Sequence, residues 1–315
     1  MAGKKKHTAL KVLGAATAAG ACAYGGLSYY VFRNAFDVQH SSLYSAAAGV
    51  RRLASGVGEK NEWYAHSTRD DAFIDSYDGF KLHALRIMNH SDSHRWMIYL
   101  HGFGSFSTQM LDYIYEADHN GLNVLAPDSR GCGMSEGQYS GLGWNEHYDL
   151  ISWINYLISV DPEAEIALFG VTTGGAAVMN ATGDYLPSNV KCAIEDSGFS
   201  GIKEIIKYQV QKNLKIDGKL VMPGVDFLVK QNLHFSMNDV STLRQLKQSE
   251  TPTLFMHGTE DDVIPASMVF DNYYACAAEK ELYTADGKGF GETPEASDYF
   301  TAVFSFIDRY MPEKA

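Results

Sequence analysis

Four glycine-rich turns carry most of the side chains that could do chemistry in this sequence. His101-Gly102-Phe103-Gly104 exposes backbone N–H groups of the kind that stabilise an oxyanion. The stretch from Asp128 to Gly137, DSRGCGMSEG, gathers carboxylates and hydroxyls in a second turn. Gly170-Val171-Thr172-Thr173-Gly174-Gly175 sets two threonine hydroxyls where an apolar run leads straight into Ala176, Ala177 and Val178 of a helix. His257-Gly258-Thr259-Glu260-Asp261-Asp262-Val263-Ile264-Pro265 puts a histidine and three acids into one turn. His101 and His257 each precede a glycine at the end of an apolar run, which suits hydrogen-bonded turn residues better than acid–base groups. Ser105 and Ser107 lie in the loop after the first of these turns and are alternative hydroxyl nucleophiles. Cys22, Cys132, Cys192 and Cys276 are scattered, with no CxxC and no Cys/His cluster, so neither a metal nor a disulfide framework is indicated and no cofactor is expected. Cys192 reads as a core residue, and Cys132, among glycines, as a loop residue that could be exposed.

The elements that must hold these turns are short apolar runs alternating with helical periodicity from Asp71 onward. That is the pattern of a mostly parallel sheet covered on both faces, an α/β fold. A first hairpin is predicted from Ala72 to Tyr77 and Lys81 to Met88 around Asp78-Gly79. Buried strands are predicted at Trp96 to Leu100, Val124 to Ala126, Ile166 to Phe169, Ala193-Ile194, Leu254 to Met256 and Leu282-Tyr283. Leu150, Ile151, Ile154, Leu157 and Ile158 fall at helical spacing, and Asp161-Pro162 stops that helix. In sheets of this kind the chemistry sits at the carboxyl ends of the strands, where the four turns fall. Asp196, at one such end, reads as a capping or loop-ordering acid. The helical, irregular stretch at about 200–250 reads as a cap inserted over the site.

Composition bounds the rest. With 45% hydrophobic and 20% charged residues over 315 positions, the chain is an ordinary globular one and not a disordered or disulfide-stapled one. Net charge is −12, and because Lys4, Lys5, Lys6 and Lys11 precede every acid, the remainder holds 22 basic against 38 acidic residues, a net −16. A field of that sign disfavours nucleic acid and anionic lipid headgroups as partners of the main domain.

The amino terminus carries the opposite signal. After the lysines, Val12 to Phe32 is a run of 21 uncharged residues, about 30 Å of helix and so about one hydrocarbon thickness. Residues 1–32 are therefore expected to form a basic segment and membrane anchor, and residues 33–70 a juxtamembrane linker with a short helix around Ser42 to Leu53. The run is rich in Ala and Gly, and Ala19-Gly20-Ala21 and Ala21-Cys22-Ala23 have the small-x-small form of a processing site, so a cleaved signal peptide is the competing reading. A cytosolic protein with an Ala-rich helix is the third. Basic residues before the span favour an inside amino terminus, which puts the main domain, residues 71–315, on the extracytoplasmic side.

From Asp71 to Tyr310 the sequence resembles the α/β-hydrolase family, in particular bacterial serine hydrolases related to S33-type peptidases and lipases with an amino-terminal anchor. The resemblance rests on HGFG, DSRGCGMSEG, the strand-turn-helix at Gly170 to Gly175, EDSGFS at Glu195 to Ser200, and HGTEDDVIP, five motifs in the family's order. It implies an α/β-hydrolase fold with a small helical cap and a nucleophile, acid and histidine at set places. The nucleophile position, serine in G-x-S-x-G, is Thr172 here. The acid maps onto Asp261. The histidine position, in the turn Ala285-Asp286-Gly287-Lys288-Gly289, is Lys288, and no histidine follows His257. The resemblance makes Phe103 and Thr173 the oxyanion N–H donors.

Thr172, Asp261 and Lys288 are an unpromising relay. A β-branched residue at positive φ is sterically disfavoured, so Thr172 should strain or relax its turn. Lysine is a base only where its pKa is lowered, and a neighbouring carboxylate does the reverse. A Lys288–Asp261 ion pair is expected in place of a histidine–aspartate bond. The reading is a pseudo-hydrolase that binds a small or lipid-like ligand, or a protein partner, in the old cleft beneath cap residues such as Met222 and Phe227. The alternative is an esterase or peptidase working through Thr172, and a third reading is an interaction domain that needs only its surface.

Overall fold

The computed structural model describes residues 20–40 and 57–313. The short helix expected around Ser42 to Leu53 lies outside the described residues. Eight strands form one sheet: β1 (Arg69–Asp75), β2 (Lys81–Ile87), β3 (Arg95–Leu100), β4 (Asn123–Pro127), β5 (Glu165–Val171), β6 (Val190–Asp196), β7 (Thr253–Gly258) and β8 (Lys280–Ala285), in the order β1-β2-β4-β3-β5-β6-β7-β8. The β1–β2 hairpin turns at Asp78-Gly79, where Gly79 takes φ 91°. β2 runs antiparallel to β4, and every later pairing is parallel. All six residues of β3 and all six of β7 are buried, as strands covered on both faces must be.

Helices supply the two covers. On one face α4 (Asn145–Val160) and α5 (Thr173–Ala181) pack Leu150, Trp153, Ile154, Leu157 and Val178 on the sheet. On the other, α3 (Leu111–His119) and α10 (Tyr299–Tyr310) contribute Ile114 and a Tyr299, Val303, Phe306, Ile307 stripe at helical spacing. A helix α2 (Val57–His66) joins that side through Trp63, whose indole N–H donates to Asp118 at 2.6 Å. α9 (Ser267–Ala275) lies between β7 and β8 in sequence. Between β6 and β7 the chain leaves the sheet as α6 (Ile202–Leu214), α7 (Met222–Leu233) and the short α8 (Thr242–Leu246).

The amino-terminal segment departs from expectation. The described part of its helix, α1, covers 20–36 and runs past Arg33, where the linker was to begin. Its residues up to Gly26 are exposed, but Val31, Phe32, Ala35 and Phe36 are buried in an apolar cluster with Ile205, Val225 and Val229 of the cap and Ala176 of α5. Asp37 bridges to Tyr139, and the Gly224 N–H donates to the Tyr24 hydroxyl at 3.0 Å. The face of Val31, Phe32, Ala35 and Phe36 is thus part of the domain core rather than bilayer span or linker, because this aromatic end of α1 finds an apolar partner in the cap. Among the described residues no helix is long and apolar enough to cross a membrane.

Candidate active site

The carboxyl ends of β3, β4, β5 and β7 bring the four turns to one rim of the sheet, beside the end of β8 at Ala285. Thr172 stands between β5 and α5 with φ 53° and ψ −106°, a conformation that costs a β-branched residue about 1–3 kcal/mol. The turn is strained, not relaxed, because its neighbours fix it. The Thr172 N–H donates to the Asp196 carbonyl at 2.8 Å, and the Ala176 N–H to the Thr172 carbonyl at 2.9 Å. A Cβ on Gly170 would lie 2.2 Å from the Gly174 oxygen, and one on Gly174 would lie 2.3 Å from the Leu100 oxygen, so strand and helix close up only over glycine. A Cβ on Gly102 would stand 2.5 Å from Thr172 Oγ1, which places the hydroxyl directly against the HGFG turn.

Phe103 and Thr173 meet at that turn, lining a cavity of about 10 Å³ with Gly102, Cys132, Glu146 and Val38. Such a space holds about one water molecule. Cys132 is buried there, not exposed in a loop as its glycine neighbours suggested, and burial with the nearby Glu146 charge pushes its thiol up to about 12. Glu146 is held by the Ser140 hydroxyl and by the Gly141 and Gly143 N–H groups. Neither Val38 nor Glu146 carried a sequence signal: one is an aliphatic residue in an apparent linker, the other one acid among many on a helix.

The acid and the lysine part company. Asp261 Oδ1 accepts the Val263 and Ile264 N–H groups at 2.8 Å each, and Oδ2 lies 3.4 Å from His257 Nε2, with both side chains fully buried. Lys288 Nζ lies 3.3 Å from Glu295. The expected Lys288–Asp261 pair is not formed: Asp261 is turned inward by its own loop, and Lys288 is left partly in solvent with a surface acid. The backbone does bring them to one place, since the Glu260 N–H donates to the Lys288 carbonyl at 2.9 Å.

The histidines are structural. His101 Nδ1 donates to the Gly102 carbonyl at 2.7 Å and its Nε2 accepts the Ser129 N–H at 2.9 Å, while burial lowers its pKa. His257 donates from Nε2 to the Ile264 carbonyl at 2.9 Å. Burial would lower its pKa, but Asp261, that carbonyl and the Glu195 charge outweigh it and raise the value. Glu195, fully buried with one oxygen on the Gly198 N–H, is pushed up to about 8 by desolvation. Asp196 accepts from the Tyr299 and Ser197 hydroxyls at 2.7 and 2.8 Å and orders the loop beside the elbow. The Ser105 hydroxyl is spent on Gln109, and Ser107 is buried with its N–H on Asp128, so both hold the loop in shape. Met222 is buried in the cluster that holds α1, whereas Phe227 is 61% exposed.

This sheet order, with a positive-φ elbow after the central strand and a helical insertion after β6, defines the class. Residues 91–239 match the hydrolase family described as serine aminopeptidase, S33. The chain is 25% identical over 238 residues to the YqkD protein of Bacillus subtilis, covering 75% of this chain and 78% of that one. It superposes on the Pyrococcus furiosus esterase Pf2001 with a TM-score of 0.63 at 22% identity, over 78% of this chain and 93% of the other. It likewise superposes on Est1E of Butyrivibrio proteoclasticus, solved with ferulic acid, with a TM-score of 0.58 at 18% identity, over 77% of this chain and all of that one. The chain has the α/β-hydrolase fold, and its central part is similar to that family's serine aminopeptidase branch.

Proposed function

We propose that this protein is a membrane-attached pseudo-hydrolase, an α/β-hydrolase-fold domain that has kept the elbow and lost the proton relay, and that its cleft serves recognition of an acyl-type ligand or a partner. One observation carries the reading: the groups that would have to move the Thr172 proton are engaged elsewhere, Asp261 with His257 and Lys288 with Glu295. A hydroxyl is a nucleophile at neutral pH only beside a base that takes its proton. The four lysines before Val12 and the uncharged stretch from Val12 to Gly26, which includes the exposed start of α1, support attachment to a membrane with the domain on the extracytoplasmic side.

The test is hydrolysis of short-chain p-nitrophenyl esters by the full chain in detergent, with Thr172→Ala as the blank and Thr172→Ser/Lys288→His as the repaired enzyme. Silence in the native protein with turnover in the double variant is expected. Turnover in the native protein that disappears in Thr172→Ala would establish a threonine hydrolase and overturn the proposal.

A further inference from the structure

The cap carries charge of the wrong sign for this chain. From Ile202 to Leu233 it holds six lysines, Lys203, Lys207, Lys212, Lys215, Lys219 and Lys230, against Glu204, Asp217 and Asp226, in a chain whose net charge is −12. Lys215 and Lys219 are exposed and make no ion pair among the described residues. Beside them the surface is apolar: Leu220 is 65% and Phe227 61% exposed, and Pro223, Phe227 and Lys230 fall at helical spacing along the open side of α7.

The same patch receives α1. Tyr24 and Ser28 sit on Gly224, where a Cβ would lie 2.2 Å from the Ser28 hydroxyl, so the two helices touch at the start of α7. From there toward its amino end α1 stands clear of the domain. Gly20 to Gly26 are exposed without a charged residue, and nothing lies within 4 Å of where a Cβ on Gly20, Gly25 or Gly26 would be. Tyr24, Tyr29 and Tyr30 are 41%, 53% and 44% exposed around this exit. Nineteen further residues precede Gly20, with four lysines and no acid.

We infer that the cap face of Lys215, Lys219, Leu220 and Phe227, continuous with the exposed stub of α1, docks on an anionic lipid surface and holds the domain with its cap against the bilayer. Each feature has a place there. Tyrosines favour the headgroup level, Leu220 and Phe227 would enter the acyl boundary, and unpaired lysines gain from anionic headgroups. The net negative field that disfavours such lipids is a property of the rest of the domain, and it would turn this face toward them. The inference rests on membrane attachment through the amino terminus and adds to it a second contact and an orientation.

The experiment uses the full chain carrying Cys22→Ser, reconstituted in vesicles of phosphatidylcholine with or without phosphatidylglycerol and containing brominated acyl chains. A fluorophore is placed at Phe227→Cys or, at the opposite end of the strands, at Asp92→Cys. Quenching at position 227 and none at 92 is expected. Lys215→Gln and Lys219→Gln should weaken the docking read by quenching at 227 in the anionic vesicles by roughly fivefold per lysine, with little change in neutral ones. Vesicle-bound protein with neither site quenched would overturn the docking while leaving the anchor standing. Failure to associate with vesicles of either composition would overturn both. Quenching at 227 that ignores both lipid charge and the lysines would overturn the anionic part of the inference.

Discussion

At the scale of single residues, the rim of the sheet separates what the backbone conserves from what the side chains do. Thr172 keeps φ 53° although a β-branched residue resists it, because Gly170, Gly174 and the Asp196 carbonyl leave the turn no other shape. The position of the elbow was legible in the glycine spacing. The partner of Asp261 was not, since the loop that turns the carboxylate inward is held by the N–H groups of Val263 and Ile264, and a choice between His257 and Lys288 is a tertiary event. The buried Glu195 and His257 give this region a pH dependence with a definite sign. Glu195 is raised from 4.5 to about 8 by desolvation, so the folded state holds a proton that the unfolded chain releases above pH 4.5. Stability should therefore fall as pH rises from about 5 to about 8. His257, whose folded value lies above 6.5, works in the same direction, because its charge-dependent stabilisation is lost as pH rises through that value. Urea midpoints of the native protein should decline across this window by an equivalent of a few kcal/mol, and Glu195→Gln should flatten the decline. A native midpoint that rises toward pH 8 would refute the assignment.

At the scale of elements, the strands were readable because a strand buried on both faces must be a continuous apolar run, and Trp96 to Leu100 and Leu254 to Met256 are such runs. α4 was readable from its spacing and its stop at Asp161-Pro162. α1 was misread for a physical reason. Its uncharged stretch ends at Arg33, but its buried face, Val31, Phe32, Ala35 and Phe36, continues across that arginine at helical spacing. Arg33 lies beside Asp37 at 3.9 Å on the solvent edge, so a charge at that position interrupts the hydropathy of the run without interrupting the helix. Phe36 is fully buried and stacks on Phe32 with ring centroids 5.3 Å apart. Phe36→Ala should cost about 3–5 kcal/mol, the range for emptying an aromatic site in a core. Equilibrium unfolding by urea checks it, and a loss under 1 kcal/mol would mean that α1 is only laid on the cap.

At the scale of the whole molecule, the fold followed from motif order, since each motif marks the end of one strand and five in sequence fix the winding of the sheet. The boundary of the folding unit did not follow. A domain beginning near Asp71 would lack Phe32, Phe36 and Val38 and leave Ile205, Val225 and Val229 of the cap uncovered. Deletion of residues 1–40 should accordingly yield a protein that binds a hydrophobic dye and self-associates, while the full chain in detergent does not. An equally stable, monomeric truncation would show that the cap closes without α1.

The contact between Tyr24 and Gly224 spans 200 positions of the chain. The first of the described helices is thus completed late, by partners far along the chain. At 5–20 residues per second, about 10–40 s separates the synthesis of these two partners. For the first part of that interval, until Tyr139 and Ser140 are made, the Phe32 and Phe36 face waits for its first partners, and Val225 and Val229 of the cap arrive only at its end. The order of synthesis, as much as the finished contact, thus decides how long that apolar face stays uncovered.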